Sequence, residues 1–103
     1  MSIQEEEHDV VIVGGGAAGV SCALECFDIQ LDTAVFESHE RPGGQLVEIP
    51  HSVRNVATTK PRNGSALRDA LEESAAIMGD RLRLSSPVTR ADLASTFKDA
   101  MLP

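Results

Sequence analysis

A run of glycines directly follows a short β-branched segment near the start of the chain, and this junction constrains the fold more than any other feature. Residues 9–13 read Asp-Val-Val-Ile-Val, and residues 14–19 read Gly-Gly-Gly-Ala-Ala-Gly. A continuous apolar run that ends in glycine is typical of a strand buried on both faces of a parallel sheet. Residues 17–27 then place Val20, Leu24 and Phe27 at helical spacing. The sequence therefore predicts a strand, a tight turn and a helix in succession.

A second strand is predicted at Thr33-Ala34-Val35-Phe36, which ends at Glu37. Strand, helix and strand within roughly 30 residues form a βαβ unit, whose crossover is almost always right-handed. The two strands are therefore expected to be parallel.

The glycine turn fits the pattern G-x-G-x-x-G, in which each glycine has a steric role. Gly14 permits the tight turn, Gly16 lets a pyrophosphate approach the main chain, and Gly19 lets the helix pack closely on the sheet. The free N–H groups and the dipole of the helix N-terminus favour phosphate, and an acid about 20 residues further on accepts the ribose hydroxyls. The sequence thus predicts a site for the ADP half of a dinucleotide, and the alternative is a glycine-rich turn without a ligand. The candidate residues are Gly14, Gly16, Ala17, Ala18, Gly19 and Glu37.

The rest of the chain is predicted to form a long irregular connection, a helix, a strand and a closing helix. Residues 38–63 contain three prolines and a Gly-Gly pair without sustained periodicity. Residues 65–78 carry an apolar stripe, with Asn63 or Ser65 as the N-cap and Gly79 at the end. Residues 81–85 alternate charge with leucine, which predicts a half-exposed third strand before Pro87. The closing helix is indicated by the spacing of Leu93, Phe97 and Met101.

Length and charge limit the function further. A chain of 103 residues is one domain, and its net charge of −7 disfavours nucleic acid as a partner. Residues 1–8 are expected to be a solvated acidic tail, because they are rich in glutamate and have no basic and apolar regions of a signal peptide. No apolar run is long enough to suggest a membrane span, and the protein is expected to be cytoplasmic.

The cysteines and histidines do not indicate a catalytic or metal site. Cys22 and Cys26 lie four residues apart on the first predicted helix, where core packing is favoured over a redox or metal role. His8, His39 and His51 are scattered at spacings that do not suggest metal binding, so they are interpreted as solvated histidines. We therefore expect no metal and assign no catalytic residue.

These segments resemble the thioredoxin-reductase-like branch of the FAD- and NAD(P)-binding pyridine nucleotide-disulfide oxidoreductases. The stretch 9–19 is similar to the family's opening strand and FAD turn, and Glu37 falls at the ribose-binding acid. The family's G-G-Q-L segment, which lies along the flavin half of FAD, is matched here by Gly43, Gly44, Gln45 and Leu46. Asn55 stands where the family has an asparagine near the isoalloxazine, although the usual following proline and glycine are absent.

The resemblance implies an α/β fold, specifically a partial Rossmann-like FAD-binding domain with a short parallel sheet flanked by helices. Residues 1–103 match only the first part of such a domain, without a second glycine motif or a C-x-x-C pair. The leading hypothesis is an FAD-binding component of a flavin-dependent oxidoreductase that another chain completes. The alternative is a non-catalytic dinucleotide-binding or regulatory module, or a truncated remnant. In neither case is the chain expected to be a disulfide reductase by itself.

The expected strand order places the Leu82 strand beside the Thr33 strand, and the Thr33 strand beside the Val10 strand. The Val10 strand is then an edge with unpaired main-chain groups, which favours association. We therefore expect a homo-oligomer or a partner chain that completes the sheet.

Overall fold

The computed structural model describes residues 6–55, 60–89 and 92, and it shows a three-stranded parallel sheet. The strand order is β1-β2-β3, with Val10 paired to Thr33 and Val35 paired to Leu82. The α/β class, the parallel pairing and the strand order expected from the sequence are confirmed. The elements are β1 Val10–Val13, α1 Ala17–Asp28, β2 Thr33–Phe36, α2 Gly64–Ala75 and β3 Leu82–Arg83, with 3-10 helices at Gly44–Glu48 and Ala76–Arg81.

The hydrophobic core lies on one face of this sheet. Alternate strand residues point to the same face, and Val35 of β2 packs there with Ile12 and Leu82 from its neighbours. Both long helices cover this face, because α1 and α2 contribute to the same cluster. The buried members of the cluster are Val20, Ala23, Val35, Ala75 and Met78.

The opposite face of the sheet is only partly covered within the described residues. Val11 is 42% exposed and Val13 is 54% exposed, so the expectation that β1 is buried on both faces is wrong. Phe36 lies on this face beneath the guanidinium of Arg83, whose carbon is 5.7 Å from the ring centroid. The continuous apolar sequence of β1 is typical of a strand covered on both faces of a sheet, whereas both described helices pack on one face.

The last two described elements are shorter than the sequence predicts. The α-helix ends at Ala75 and continues as a 3-10 helix, which turns at Gly79 with φ +53°. Strand β3 has two residues, and the chain has left the extended conformation at Ser85, which adopts φ +50°, before it reaches Pro87. The predicted closing helix with Leu93, Phe97 and Met101 lies outside the described residues.

The segment before β1 is held against the sheet where it is described. Arg83 donates to Glu6 through both terminal nitrogens, at 3.0 and 2.7 Å. The His8 side chain is 7% exposed, with Nδ1 3.1 Å from Asp32 Oδ1, and Arg81 also pairs with Asp32. The interpretation of His8 as a solvated histidine is therefore wrong, because its side chain is largely enclosed and contacts Asp32 and Arg81, which are distant in sequence. Among the described residues, no helix has the length and apolar character needed to cross a membrane.

Candidate functional site

The turn between β1 and α1 has the geometry that the glycine motif predicts. Gly14 adopts φ +104°, and its N–H donates to the carbonyl of Phe36 at 2.8 Å. A Cβ on Gly19 would lie 2.0 Å from the carbonyl oxygen of Gly14, so this helix can approach the strand only with glycine there. A Cβ on Gly16 would meet nothing within 4 Å. The turn is therefore closed on its inner side and open beside Gly16, where a phosphate would approach.

The first turn of α1 presents free main-chain donors to this open side. Its N-cap is Gly16, which has no side chain to accept from the first amides, and Ala17 and Ala18 are exposed. By contrast, α2 is capped by Asn63, whose Oδ1 accepts from Ala66 N at 2.9 Å. The N-terminus of α1 can thus receive an anion, which the helix dipole also favours.

Glu37 lies directly beneath the glycine turn and is 5% exposed. Its Oε1 accepts from Gly15 N at 2.8 Å, and its Oε2 accepts from His39 N at 2.8 Å and lies 2.9 Å from His39 Nδ1. The Ser38 hydroxyl donates to Oε2 at 3.3 Å. Burial raises the pKa of Glu37, but the hydrogen bonds, above all those from the His39 and Gly15 amides, outweigh it and lower the pKa to about 2.

Glu37 is therefore a fixed carboxylate whose lone pairs are largely occupied by the protein's own donors. The His39 side chain is 77% exposed and can swing away from Oε2, whereas the Gly15 amide is part of the turn. The predicted role of Glu37 as acceptor for ribose hydroxyls thus requires the exposed His39 and Ser38 side chains to give up their contacts.

A second wall of the site is formed by residues 43–48, which we call the loop wall. Gly43 N donates to Gly15 O at 2.8 Å, and this hydrogen bond fixes the start of the loop wall to the glycine turn. Gly43 and Gly44 have φ of +117° and +53°, and these left-handed conformations favour glycine. The structure brings the two predicted clusters together around an open groove of about 460 Å³. Its lining consists of Gly16, Ala17, Gly43, Gly44, Gln45, Leu46, Glu48 and Ile49.

Asn55 lies outside this groove, in a neighbouring one of about 720 Å³. That groove is also lined by His51, Ser52, Val53 and Arg54, and Ile49 borders both. The two grooves are thus adjacent, and together they run from the glycine turn past the loop wall to Asn55. A long two-part ligand such as a dinucleotide fits this layout better than a compact one.

Two residues that position the site were not singled out from the sequence. Gly15 donates the hydrogen bond to Glu37, and a Cβ there would lie 3.2 Å from the Glu37 Cβ. Gly64 starts α2 against the loop wall, and a Cβ there would lie 1.5 Å from Leu46 O. The available signals were the middle glycine of the run of three in the motif and an Asn-Gly pair at a helix start.

The two cysteines differ in environment, and both are free thiols. Cys26 is buried as expected, but Cys22 is exposed, so the packing interpretation is wrong for Cys22. Desolvation and the neighbouring Cys26 thiol raise the pKa of Cys22, which disfavours a reactive thiolate. Within the residues that the structure describes, no cluster of three or more histidine, cysteine or acidic side chains could hold a metal.

Comparison with known proteins assigns the chain to a family. The family model described as "FAD binding domain" matches residues 9–83. The chain is 33% identical to the "34.2 kDa protein in rubredoxin operon" of Clostridium pasteurianum, over 92% of this chain and 30% of that protein. It is also 33% identical to "Ferredoxin--NADP reductase 1" of Bacillus pumilus, over 86% of this chain and 26% of that protein.

A solved structure agrees with these matches. Thioredoxin reductase of T. acidophilum superposes with a TM-score of 0.63 at 30% identity, over 80% of this chain and 25% of that one. The chain thus spans about a third or less of the length of these relatives. Because the family model covers most of the chain, including the glycine turn, Glu37 and the loop wall, this protein belongs to the FAD binding domain family, and its cofactor is FAD.

Proposed function

We propose that the glycine turn holds the ADP half of FAD and that the loop wall lies along the flavin half. The groove between Gly16 and the Gly44-Gln45-Leu46 stretch is the observation that carries this proposal. In this proposal the amides of Ala17 and Ala18 donate to the pyrophosphate, and Glu37, which lies beneath the glycine turn, accepts from the ribose. Asn55 belongs to the adjoining groove and is proposed to approach the isoalloxazine.

We propose further that the chain is the FAD-holding part of a flavin-dependent oxidoreductase. Bound FAD supplies an isoalloxazine that takes up and passes on electrons, while the protein binds, orients and shields it. This role is supported by the loop wall, because a site for an adenine nucleotide alone would not need a wall along the flavin half. The two free thiols fit a reducing compartment, and we therefore keep a cytoplasmic location as part of the proposal.

Within the described residues no strand pairs with the outer edge of β1, which we call the free edge, and this edge is the basis for proposing additional protein. Val10 and Gly14 donate to β2, so the N–H and C=O groups of Val11 and Val13 point to the other edge. An unpaired edge beside an exposed apolar face favours pairing with another strand. We propose that a strand from a second copy or from a partner chain pairs there.

The proposal is tested by the absorbance spectrum of the purified protein and by titration with FAD, ADP and NAD. We expect bound or reconstitutable flavin and a tighter complex with FAD than with NAD or ADP, because only FAD uses the loop wall. Gln45→Ala should weaken FAD binding without changing ADP binding, and Glu25→Gln on the far part of α1 serves as the control. Equal affinity for NAD and FAD would overturn the proposed assignment of the loop wall.

A non-catalytic FAD-binding or regulatory module is the second candidate. It is favoured by the described lining of the two grooves, which contains no cysteine and in which the His51 ring contacts the Ser52 carbonyl and not the Glu48 carboxylate. The two candidates differ in one measurement: anaerobic reduction of the bound flavin by NADH or NADPH, with and without the protein that pairs at β1. Reduction only in the assembled state supports the oxidoreductase component, and no reduction in either state supports the module.

A further inference from the structure

We propose that Gly64 is a positioning residue for the flavin half of the ligand: it lets α2 begin in direct contact with the loop wall and so fixes where that wall stands. This inference rests on the proposed function, because it assumes that the loop wall contacts the flavin half. It adds a residue on a different element, one that need not touch the ligand.

The contact between Gly64 and the loop wall is a backbone-to-backbone contact. Gly64 N donates at 2.8 Å to the carbonyl oxygen of Ile49, the residue directly after the loop wall, and so ties the first residue of α2 to the end of this segment. A Cβ on Gly64 would lie 1.5 Å from Leu46 O and 2.7 Å from Leu46 C, whereas a carbon–oxygen contact is normally about 3.3 Å or longer. Since the obstacle is main chain, any side chain at this position displaces Leu46, which lines the groove.

The other end of the loop wall is held by a hydrogen bond to the glycine turn as well as by contact with α2. Gly43 N donates to Gly15 O, and the Arg68 stem lies so close that a Cβ on Gly43 would be 2.5 Å from Arg68 Cγ. Displacement at Leu46 therefore pivots the wall about Gly43, which stays attached to the glycine turn. The flavin side of the groove should change, while the phosphate side around Gly16 should not.

Asn63 offers a milder way to disturb the same contact. Its side chain accepts from Ala66 N at 2.9 Å and so holds the first turn of α2, on which Gly64 stands. Removing this cap loosens the helix start without inserting an atom between Gly64 and Leu46. Ser65 is exposed on the same turn, which makes Ser65→Ala a matched control that also creates an alanine.

The experiment measures the dissociation constants of FAD and ADP for the wild-type chain, Gly64→Ala, Asn63→Ala and Ser65→Ala, with circular dichroism as the check on folding. For Gly64→Ala we expect FAD binding to weaken by about tenfold or more, with ADP binding unchanged within about twofold. Asn63→Ala should show a smaller change of the same kind, and Ser65→Ala should match the wild type. The visible circular dichroism of bound flavin should change in Gly64→Ala, because the flavin meets a displaced wall.

Each outcome decides the proposal. Equal weakening of FAD and ADP, or unchanged FAD binding, in a folded Gly64→Ala would overturn it. If Gly64→Ala does not fold, Asn63→Ala decides, and an unchanged ratio of FAD to ADP affinity rejects the positioning role. A wild-type chain that binds FAD no better than ADP overturns the proposed function and this inference together, whereas a wild-type preference that survives both variants overturns this inference alone.

Discussion

Replacing Glu37 with glutamine tests whether the site depends on a buried charge. Glu37→Gln keeps the shape of the side chain and the acceptor for Gly15 N, but it places an NH₂ group where the His39 amide now donates. Two donors then face each other in a position that is 5% exposed in the wild type. We expect a loss of stability that depends on pH, because the wild-type advantage is that of a carboxylate.

The magnitude follows from the pKa of Glu37. Despite burial, which raises it, hydrogen bonding from His39 and Gly15 lowers the pKa from the ordinary glutamate value of 4.5 to about 2. Because the folded value is lower than the unfolded one, the stabilisation is fully present above about pH 4.5 and is lost as the pH falls towards 2. At about 1.4 kcal/mol for each unit of pKa, the carboxylate contributes about 3 kcal/mol at neutral pH. A domain of this size has about 5–15 kcal/mol in total.

The assay is urea denaturation of the wild type and of Glu37→Gln at about pH 7 and about pH 3. Glu25→Gln, at an exposed position on α1, controls for the loss of one negative charge. We expect a difference in unfolding free energy of about 3 kcal/mol at neutral pH that shrinks markedly in acid. An equal difference at both pH values would refute the reasoning, because the loss would then come from shape and not from charge.

Three further predictions concern the glycine turn, the thiols and the sheet edge. Gly16→Val should leave the circular dichroism spectrum unchanged, since its Cβ meets only open space, but it should abolish FAD binding because the side chain fills the space proposed for the pyrophosphate. Gly19→Ala should unfold more easily in urea, because its Cβ would lie 2.0 Å from Gly14 O. The chain alone should not turn over disulfides with FAD and NADH or NADPH, because Cβ atoms four residues apart on a helix are about 5–6 Å apart and a disulfide needs about 3.5–4.5 Å; activity lost in the Cys22→Ala, Cys26→Ala double variant would contradict this. In dilute protein the outward amides of β1 should exchange with deuterium faster than those bonded to β2, and pairing with a second copy should slow them at high concentration; slow exchange in a monomer would show that another part of this chain covers the edge.

The local features of the fold could be predicted from the sequence because they depend on neighbouring residues. The β-branched run, the glycines and the small helix residues determine the first strand, turn and helix, and a βαβ unit has one favoured handedness. Asn63 is the cap of α2, one of the two candidates that the sequence offered. The site residues Glu37, Gln45 and Asn55 stay predictions as ligand contacts, since their roles depend on bound FAD.

The features that the sequence did not predict depend on contacts between distant segments. His8 is enclosed by Asp32 and Arg81, and Gly64 by Leu46, and no local pattern encodes these pairs. The early end of β3 is followed by a left-handed backbone conformation at Ser85, which propensities do not predict. Val11 and Val13 are apolar, which suits a strand covered on both faces. Their exposure depends on how much of the surrounding protein covers β1, and the sequence of the strand does not determine this.

The ligand site and the free edge meet at the same end of β1, and this has a thermodynamic consequence for the proposed assembly. Val13, the last residue of the strand, directs its backbone groups to the free edge, and Gly14 begins the phosphate turn immediately after it. A parallel strand that pairs with β1 ends at this same level, so the loop that follows it faces the pyrophosphate. In the proposed assembly, the protein that completes the sheet also closes the ligand groove, and each binding event then strengthens the other by the same factor. We therefore expect the separate chain to bind FAD more weakly than the proposed assembly, in which the strand that pairs with β1 supplies part of the surface around the cofactor.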